Sequence, residues 1–380
     1  MTPRERIISA LERKEPDRLP VDFGATATTT ITREPYIELR EYLGLPPVEP
    51  RNLSFTAQSV CPDEDVLSLF EIDTRGVKPG ASSAFSGKIT VEGDYEWYYD
   101  ESGIGCRRPL DRGLYFDLAY HPLKDKPASY IDSAFFPRGD DPGRIKGLRE
   151  VCEKHRKAGY PTVLSPSVAR GILHQGTALL GFEDYFTRLY LEPGLIDRIS
   201  RRILETKIAF YDMVLGEIGD VLDVVTEADD LGTQRGPFIS PEMYRSRFKP
   251  LQAELFSEIK RRAPHIKILY HSCGSVVEFI PDLIDIGVDA LNPVQVSAYG
   301  MDPDRLKGEY GKDICFWGGG IDTQNVLPGK TPAEVKDEIK KMLDVWVPGG
   351  GYVFATVHNV QADVSPENVI AMFEALEEFR

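Results

Sequence analysis

In Ile266-Lys267-Ile268-Leu269-Tyr270-His271-Ser272-Cys273 a short run rich in β-branched and aromatic residues ends on an imidazole and a thiol. Such a run reads as a buried strand. It follows a helical pattern at residues 241–262 and precedes another at 276–286, and the same alternation holds from residue 145 onward. Helices at 145–158 and 193–218 lead to Thr162-Val163-Leu164 and Val221-Leu222-Asp223-Val224-Val225-Thr226. Ala290-Leu291-Asn292, Ile314-Cys315-Phe316-Trp317 and Tyr352-Val353-Phe354-Ala355-Thr356-Val357 follow, with helices at 332–345 and 366–379. Strands alternating with helices imply a parallel sheet with crossover connections, and the count suits a closed α/β barrel of the (β/α)8 TIM type.

The N-terminal third differs. Helices are expected at 3–13, 35–43 and 63–70 and a strand at 19–23. From about 72 to 123 short alternating runs predominate, such as Lys88-Ile89-Thr90-Val91 and Tyr95-Glu96-Trp97-Tyr98-Tyr99 before Asp100-Glu101-Ser102-Gly103. These read as antiparallel hairpins, a β-rich insertion or cap rather than barrel wall. Residues 124–144 read as loop, and residues 1–380 as a single barrel domain carrying the insertion. At 380 residues and 42% hydrophobic the chain can bury a large core. Neither a membrane span nor a signal peptide is expected, so a cytoplasmic location is. Five scattered cysteines argue for reduced thiols, and a formal charge of −15 disfavours nucleic acid and anionic membrane as partners.

In a barrel of this kind chemistry sits at the C-terminal strand ends. Those ends deliver Glu227, Asp229, Asp230 and Gln234; His271 and Cys273; Asn292 and Gln295; Asp322 and Gln324; and His358, Asn359 and Gln361. His271 and Cys273, two apart, share a face if strand geometry persists. With His358 they make two imidazoles and a thiolate, a set that suits Zn²⁺ and leaves a fourth position for water or substrate. His-x-Cys by itself also fits a hydrogen-bonded structural histidine beside a small buried cysteine. Glu227, Asp229 and Asp230 are poorly placed to cap the next helix, since residues 231–240 intervene, and a role in the site is expected. Tyr270, Phe316, Trp317 and Phe354 either line a flat pocket or fill the barrel core. The Gly318-Gly319-Gly320 and Gly349-Gly350-Gly351 runs lack phosphate-loop context and read equally as tight turns.

Asp17-Arg18-Leu19-Pro20-Val21-Asp22-Phe23-Gly24, Asp229-Asp230-Leu231-Gly232-Thr233-Gln234, Tyr270-His271-Ser272-Cys273-Gly274, Gly318-Gly319-Gly320-Ile321-Asp322 and Ser365-Pro366-Glu367-Asn368 occur in an order that resembles the uroporphyrinogen decarboxylase superfamily. Within it the chain looks like the zinc-dependent methyltransferases that work with corrinoid proteins. The resemblance implies a (β/α)8 barrel, and Zn²⁺ held by His271, Cys273 and His358. His358 stands where the branch that methylates coenzyme M has a cysteine. A segment matching the decarboxylase's Arg-rich motif, Phe23-Gly24-Ala25-Thr26-Ala27-Thr28-Thr29-Thr30, offers a polyanionic tetrapyrrole no cation.

The expected function is therefore transfer of a methyl group from a methoxylated, aromatic compound to the Co(I) corrinoid of a partner protein. Glu227, Asp229 and Asp230 are the expected catalytic residues, Glu227 as fourth ligand or proton donor. Tyr270, Asn292, Gln295, Trp317 and Asp322 are the expected substrate-binding ones. The alternatives are transfer from a methylcorrinoid to a thiol or pterin, and a metal-free lyase or non-catalytic relative in which the same histidines and cysteine are structural.

Overall fold

The computed structural model describes residues 1–379 except Arg112, Pro166, Ser167 and Ala169. Seven strands, β1 (Arg75–Val77), β2 (Thr162–Leu164), β3 (Val224–Ala228), β4 (Lys267–His271), β5 (Ala290–Asn292), β6 (Cys315–Trp317) and β7 (Tyr352–Val353), form one sheet in sequence order. Every neighbouring pair is parallel. The gap between β7 and β1 is filled by the backbone around Val21. Asp22 N donates to Phe354 O at 2.8 Å, Phe354 N to Pro20 O at 2.9 Å, and Asp73 N to Val21 O at 2.9 Å. The expected segment at 19–23 is thus an eighth stave, and the wall curls into an α/β barrel of TIM type.

Alternation along each strand divides inside from outside. Val163, Val224, Leu269, Ala290, Cys315 and Val353 form an interior layer with Ile7, Ala10 and Leu11 of the Pro3–Leu11 helix, all fully buried. That helix starts with Pro3 behind a Thr2–Glu5 capping box and plugs the N-terminal end of the barrel. Val225, Tyr270, Leu291, Phe316 and Phe354 face outward and join the apolar layer beneath the helices. Phe316 and Phe354 are therefore core, as barrel packing allows.

One expectation needs correction. Residues 72–123 do not lie wholly outside the wall, because Arg75–Val77 pairs with Thr162–Leu164. Arg-Gly-Val carries no apolar run to read: Gly76 lies against the backbone of Ala25, and Arg75 reaches Glu64 while its guanidinium sits 3.8 Å from the Tyr160 ring centroid. The antiparallel insertion proper has four strands, Ile89–Glu92, Tyr95–Tyr99, Gly105–Pro109 and Asp117–Tyr120, joined as a meander. Helices at Ile172–Leu180, Phe182–Leu191 and Pro303–Tyr310, and a short one at Ala128–Ser133 inside the expected loop, are additional. Both glycine runs serve packing. A Cβ on Gly318 would meet Pro293 O at 2.2 Å, and Gly350 lies against Lys14 at the plugged end. Among the described residues no helix is long and apolar enough to cross a membrane.

Asp73 ties plug, eighth stave and β1 together. Fully buried, it accepts from Arg6 Nη1 at 2.6 Å, Arg18 Nη2 at 2.9 Å and Val21 N at 2.9 Å. Removing the carboxylate leaves the buried Arg6 guanidinium short of a partner. Asp73→Ala is expected to cost about 3–5 kcal/mol in guanidinium unfolding, with a matching fall in Tm.

Candidate metal centre

His271 is the last residue of β4 and stands in register with Ala228 of β3 and Asn292 of β5. Its orientation is set from behind. Asn292 Nδ2 donates to Trp317 O at 2.8 Å, which leaves Asn292 Oδ1 as an acceptor, 2.5 Å from His271 Nδ1. The proton therefore belongs on Nδ1, and Nε2 presents a lone pair into the barrel mouth. Cys273 Sγ lies 3.4 Å from that Nε2.

The turn that carries Cys273 is held to the loop after β3. Ser272 Oγ accepts from Leu231 N at 3.0 Å, Ser275 N donates to Thr233 O at 2.7 Å, and a Cβ on Gly274 would meet Gly232 backbone at 2.5 Å. Only glycine fits there, and its φ of +82° is left-handed as well. His358 arrives from the opposite side of the mouth, after β7. Its own φ is +69°, unusual for a residue with a side chain, and its loop is pinned by the Thr323 hydroxyl on Val357 O and by Val360 N on Thr30 O. The His271 and His358 ring centroids are 5.7 Å apart, and one ligand atom from each of His271, Cys273 and His358 lies within 4.8 Å of the others.

The electrostatics of the three differ. Burial, and then the neighbouring His271, push the His358 imidazole down to about 4, so it is neutral at pH 7. Burial, and then the Asp230 carboxylate, push the Cys273 thiol well above its ordinary value. A cation among the three reverses that preference by stabilising the thiolate. Two imidazoles and an ionisable thiol form a donor set that fits zinc.

Asp230 stands beside the cluster. Its Oδ1 accepts from Cys273 N at 3.0 Å and lies 3.9 Å from His271 Nε2, while Oδ2 is 3.7 Å from His174 Nδ1. Burial works to raise this carboxyl, but His271, His174 and the Cys273 N–H outweigh it and hold the group below the ordinary carboxylate range. His174, on the Ile172–Leu180 helix, carried no signal in sequence, because nothing around it is periodic or motif-like. A cavity of about 650 Å³ opens in front of the cluster, lined by Cys273, His358, Asn359, Gln295, Gln324 and, from the insertion, Leu114 and Tyr115 among others. The insertion thus reaches over the mouth.

Several expected site residues lie elsewhere. Glu227 and Tyr270 are register partners on the outer face of the sheet. Glu227 accepts from Tyr211 at 2.8 Å and pairs with Lys207 at 3.0 Å, both on the Pro193–Ile218 helix. Tyr270 Oη accepts from Gln252 Nε2 at 2.8 Å. Period-two alternation sends both away from the mouth. Asp229 does cap a helix, but an earlier one: its carboxylate accepts from Leu173 N at 2.9 Å and His174 N at 2.8 Å. Burial, against the pull of those N–H groups, raises it to about 7. Trp317 is enclosed in the barrel, its Nε1 donating to Asp22 at 2.7 Å. Asp322 builds a turn, accepting from Gln324 N at 2.8 Å and Asn325 Nδ2 at 2.8 Å. Asn292 supports His271 from behind the cavity, whereas Gln295 lines it with Oε1 fixed by Gly274 N at 2.7 Å.

The family model described as "Uroporphyrinogen decarboxylase (URO-D)" matches residues 136–379. The uroporphyrinogen decarboxylase of Alkalilimnicola ehrlichii is 21% identical over 386 residues, covering 98% of this chain and 93% of its own. A solved methyltransferase from Methanosarcina mazei superposes with a TM-score of 0.66 at 17% identity, covering 100% of this chain and 99% of its own, and so shares the fold.

Two outcomes are expected for metal binding. Asn292→Ala should weaken zinc retention by roughly 10–100-fold in competition with a chromophoric chelator, whereas Glu227→Gln and Tyr270→Phe should leave it unchanged. Because His358 is already neutral and Cys273 must lose a proton on binding, zinc affinity should rise about tenfold per pH unit above about pH 7 and keep rising through the ordinary thiol range of about 8.5. Cys273→Ser should flatten that dependence.

Proposed function

We propose, from the premise that this chain belongs to the uroporphyrinogen decarboxylase family, that it is a zinc-dependent methyltransferase moving a methyl group from a methoxylated aromatic compound to the Co(I) corrinoid of a partner protein. The observation that carries this reading is the convergence of His271, Cys273 and His358 at a cavity of substrate size, whose wall includes Cys273 and His358. An alkyl aryl ether is unreactive because its oxygen leaves poorly as an anion, and bound zinc would supply a Lewis acid that stabilises the charge developing on that oxygen. The C–O bond breaks with its electron pair staying on oxygen, and the methyl carbon passes to the corrinoid cobalt, a substrate that the partner carries.

The chain's own residues do the rest. Asn292 keeps the His271 lone pair turned into the mouth. Asp230 orders the Cys273 backbone and, as an ionised carboxylate, faces His174 Nδ1 at 3.7 Å, which steadies that imidazole beside the ligand cluster. Leu114 and Tyr115 cover one side of the cavity and limit access of water. Decarboxylation, the activity in the name of the Alkalilimnicola relative, is disfavoured by the absence of a cation from residues 23–30.

The test combines elemental analysis with an assay of zinc-loaded protein, a methoxyarene and Co(I) corrinoid, following methyl-cobalt formation by absorbance. About one zinc per chain and methyl transfer that falls at least roughly hundredfold in Cys273→Ala are expected. Loss of carbon dioxide from uroporphyrinogen without methyl transfer would assign the lyase instead. Consumption of methyl-cobalt on adding a thiol or pterin would reverse the direction.

A further inference from the structure

We propose that Asn359 is the residue that fixes the oxygen of the substrate, and that the substrate is an uncharged, oxygen-bearing methyl donor rather than a carboxylate. This deepens the methyltransferase reading and rests on it. Asn359 is 1% exposed, lines the cavity, and follows His358 directly in sequence. Its Oδ1 accepts from Thr30 N at 3.3 Å, which settles the orientation of the amide. Its Nδ2 is buried and has no hydrogen-bond partner. A buried donor left without an acceptor bears its full desolvation penalty, so an unpaired donor beside a cavity points to an acceptor that arrives with the ligand. The left-handed backbone at His358, φ +69°, fixes the directions in which the two neighbouring side chains leave the loop. His358 of the ligand cluster and Asn359 with its unpaired donor, consecutive in sequence, both belong to the wall of the cavity.

The remaining polar lining says which acceptor. Gln234, Gln295, Gln324 and Gln361 contribute neutral carboxamides and Asp363 a carboxylate. Two of these amides are already joined, Gln234 Nε2 donating to Gln324 Oε1 at 3.2 Å. Amide donors pair well with ether, phenol or carbonyl oxygen, whereas a ligand carboxylate held on the amide side, away from the zinc ligands, would face Asp363 on the same wall. Ether or phenol oxygen on an otherwise apolar ring is the chemistry that fits.

The experiment is calorimetric titration of zinc-loaded protein with 2-methoxyphenol and with 4-hydroxy-3-methoxybenzoate, on wild type, Asn359→Ala and Asn359→Asp. Zinc content and Tm are checked on each, and methyl transfer to Co(I) corrinoid is measured with both compounds. Wild type should bind 2-methoxyphenol at least about tenfold more tightly than the carboxylate, and Asn359→Ala should lose about tenfold for it at unchanged zinc content. Asn359→Asp, which places an acceptor against the ligand oxygen, should lose at least as much. Equal or tighter binding of the carboxylate, or affinities unmoved by Asn359→Ala, would overturn the assignment and mean that Nδ2 meets only water. If that occurs while methyl transfer proceeds, the methyltransferase reading stands without it. If neither compound binds or gives up its methyl group, both fall.

Discussion

Closure of the sheet through Val21 is the constraint from which the rest follows. Without the hydrogen bonds that join Val21 and its neighbours to Phe354 and Asp73, β7 and β1 would be the two edges of an open sheet. An open edge exposes unpaired backbone groups, and a curled wall without its last stave has no fixed diameter. Closure brings the loops after β3, β4 and β7 around one rim. It is held from below by Asp73, whose carboxylate gathers Arg6, Arg18 and the Val21 N–H. The residues that seal the plugged end therefore stand behind the distances at the opposite end.

The mouth shows how a barrel divides labour along a strand. Residues of one parity face inward and stack in layers, apolar near the plug and polar near the rim: Leu269 gives way to His271, Ala290 to Asn292. Residues of the other parity brace the wall against its helices, and some are charged. Glu227 with Lys207 and Tyr211 is such a brace, a buried ion pair whose role is to seat the long Pro193–Ile218 helix. Asp229 anchors the start of the Ile172–Leu180 helix and so brings His174 to Asp230. Acidic residues adjacent in sequence thus serve three different structural ends.

Much of this was legible in the chain. Apolar runs of strand length between amphipathic helices located seven of the eight staves, and His271, Cys273 and His358 stood out because ligand side chains closed those runs. Arg75–Val77 was not legible, since its strand is defined by pairing and carries an arginine and a glycine. Tyr270 and Glu227 were misplaced because proximity to His271 in sequence says nothing about which face a side chain takes until the parity of the strand is known. Asp322 and Trp317 were expected to bind substrate, and the structure places one in a turn and the other within the barrel.

Local composition and periodicity, then, determined the class of fold, the end of the barrel at which polar residues gather, and the chemical character of the candidate ligands. These properties are written within a single strand or helix, where backbone geometry alone sets spacing. Only the tertiary structure decided that His358 meets His271 and Cys273, that Asn292 fixes the tautomer, that His174 and the Leu114–Tyr115 loop belong to the mouth, and that Asn359 keeps a donor unpaired. Each of those depends on the closing of the barrel, which sets residues remote in sequence a few ångströms apart through contacts that no local pattern encodes.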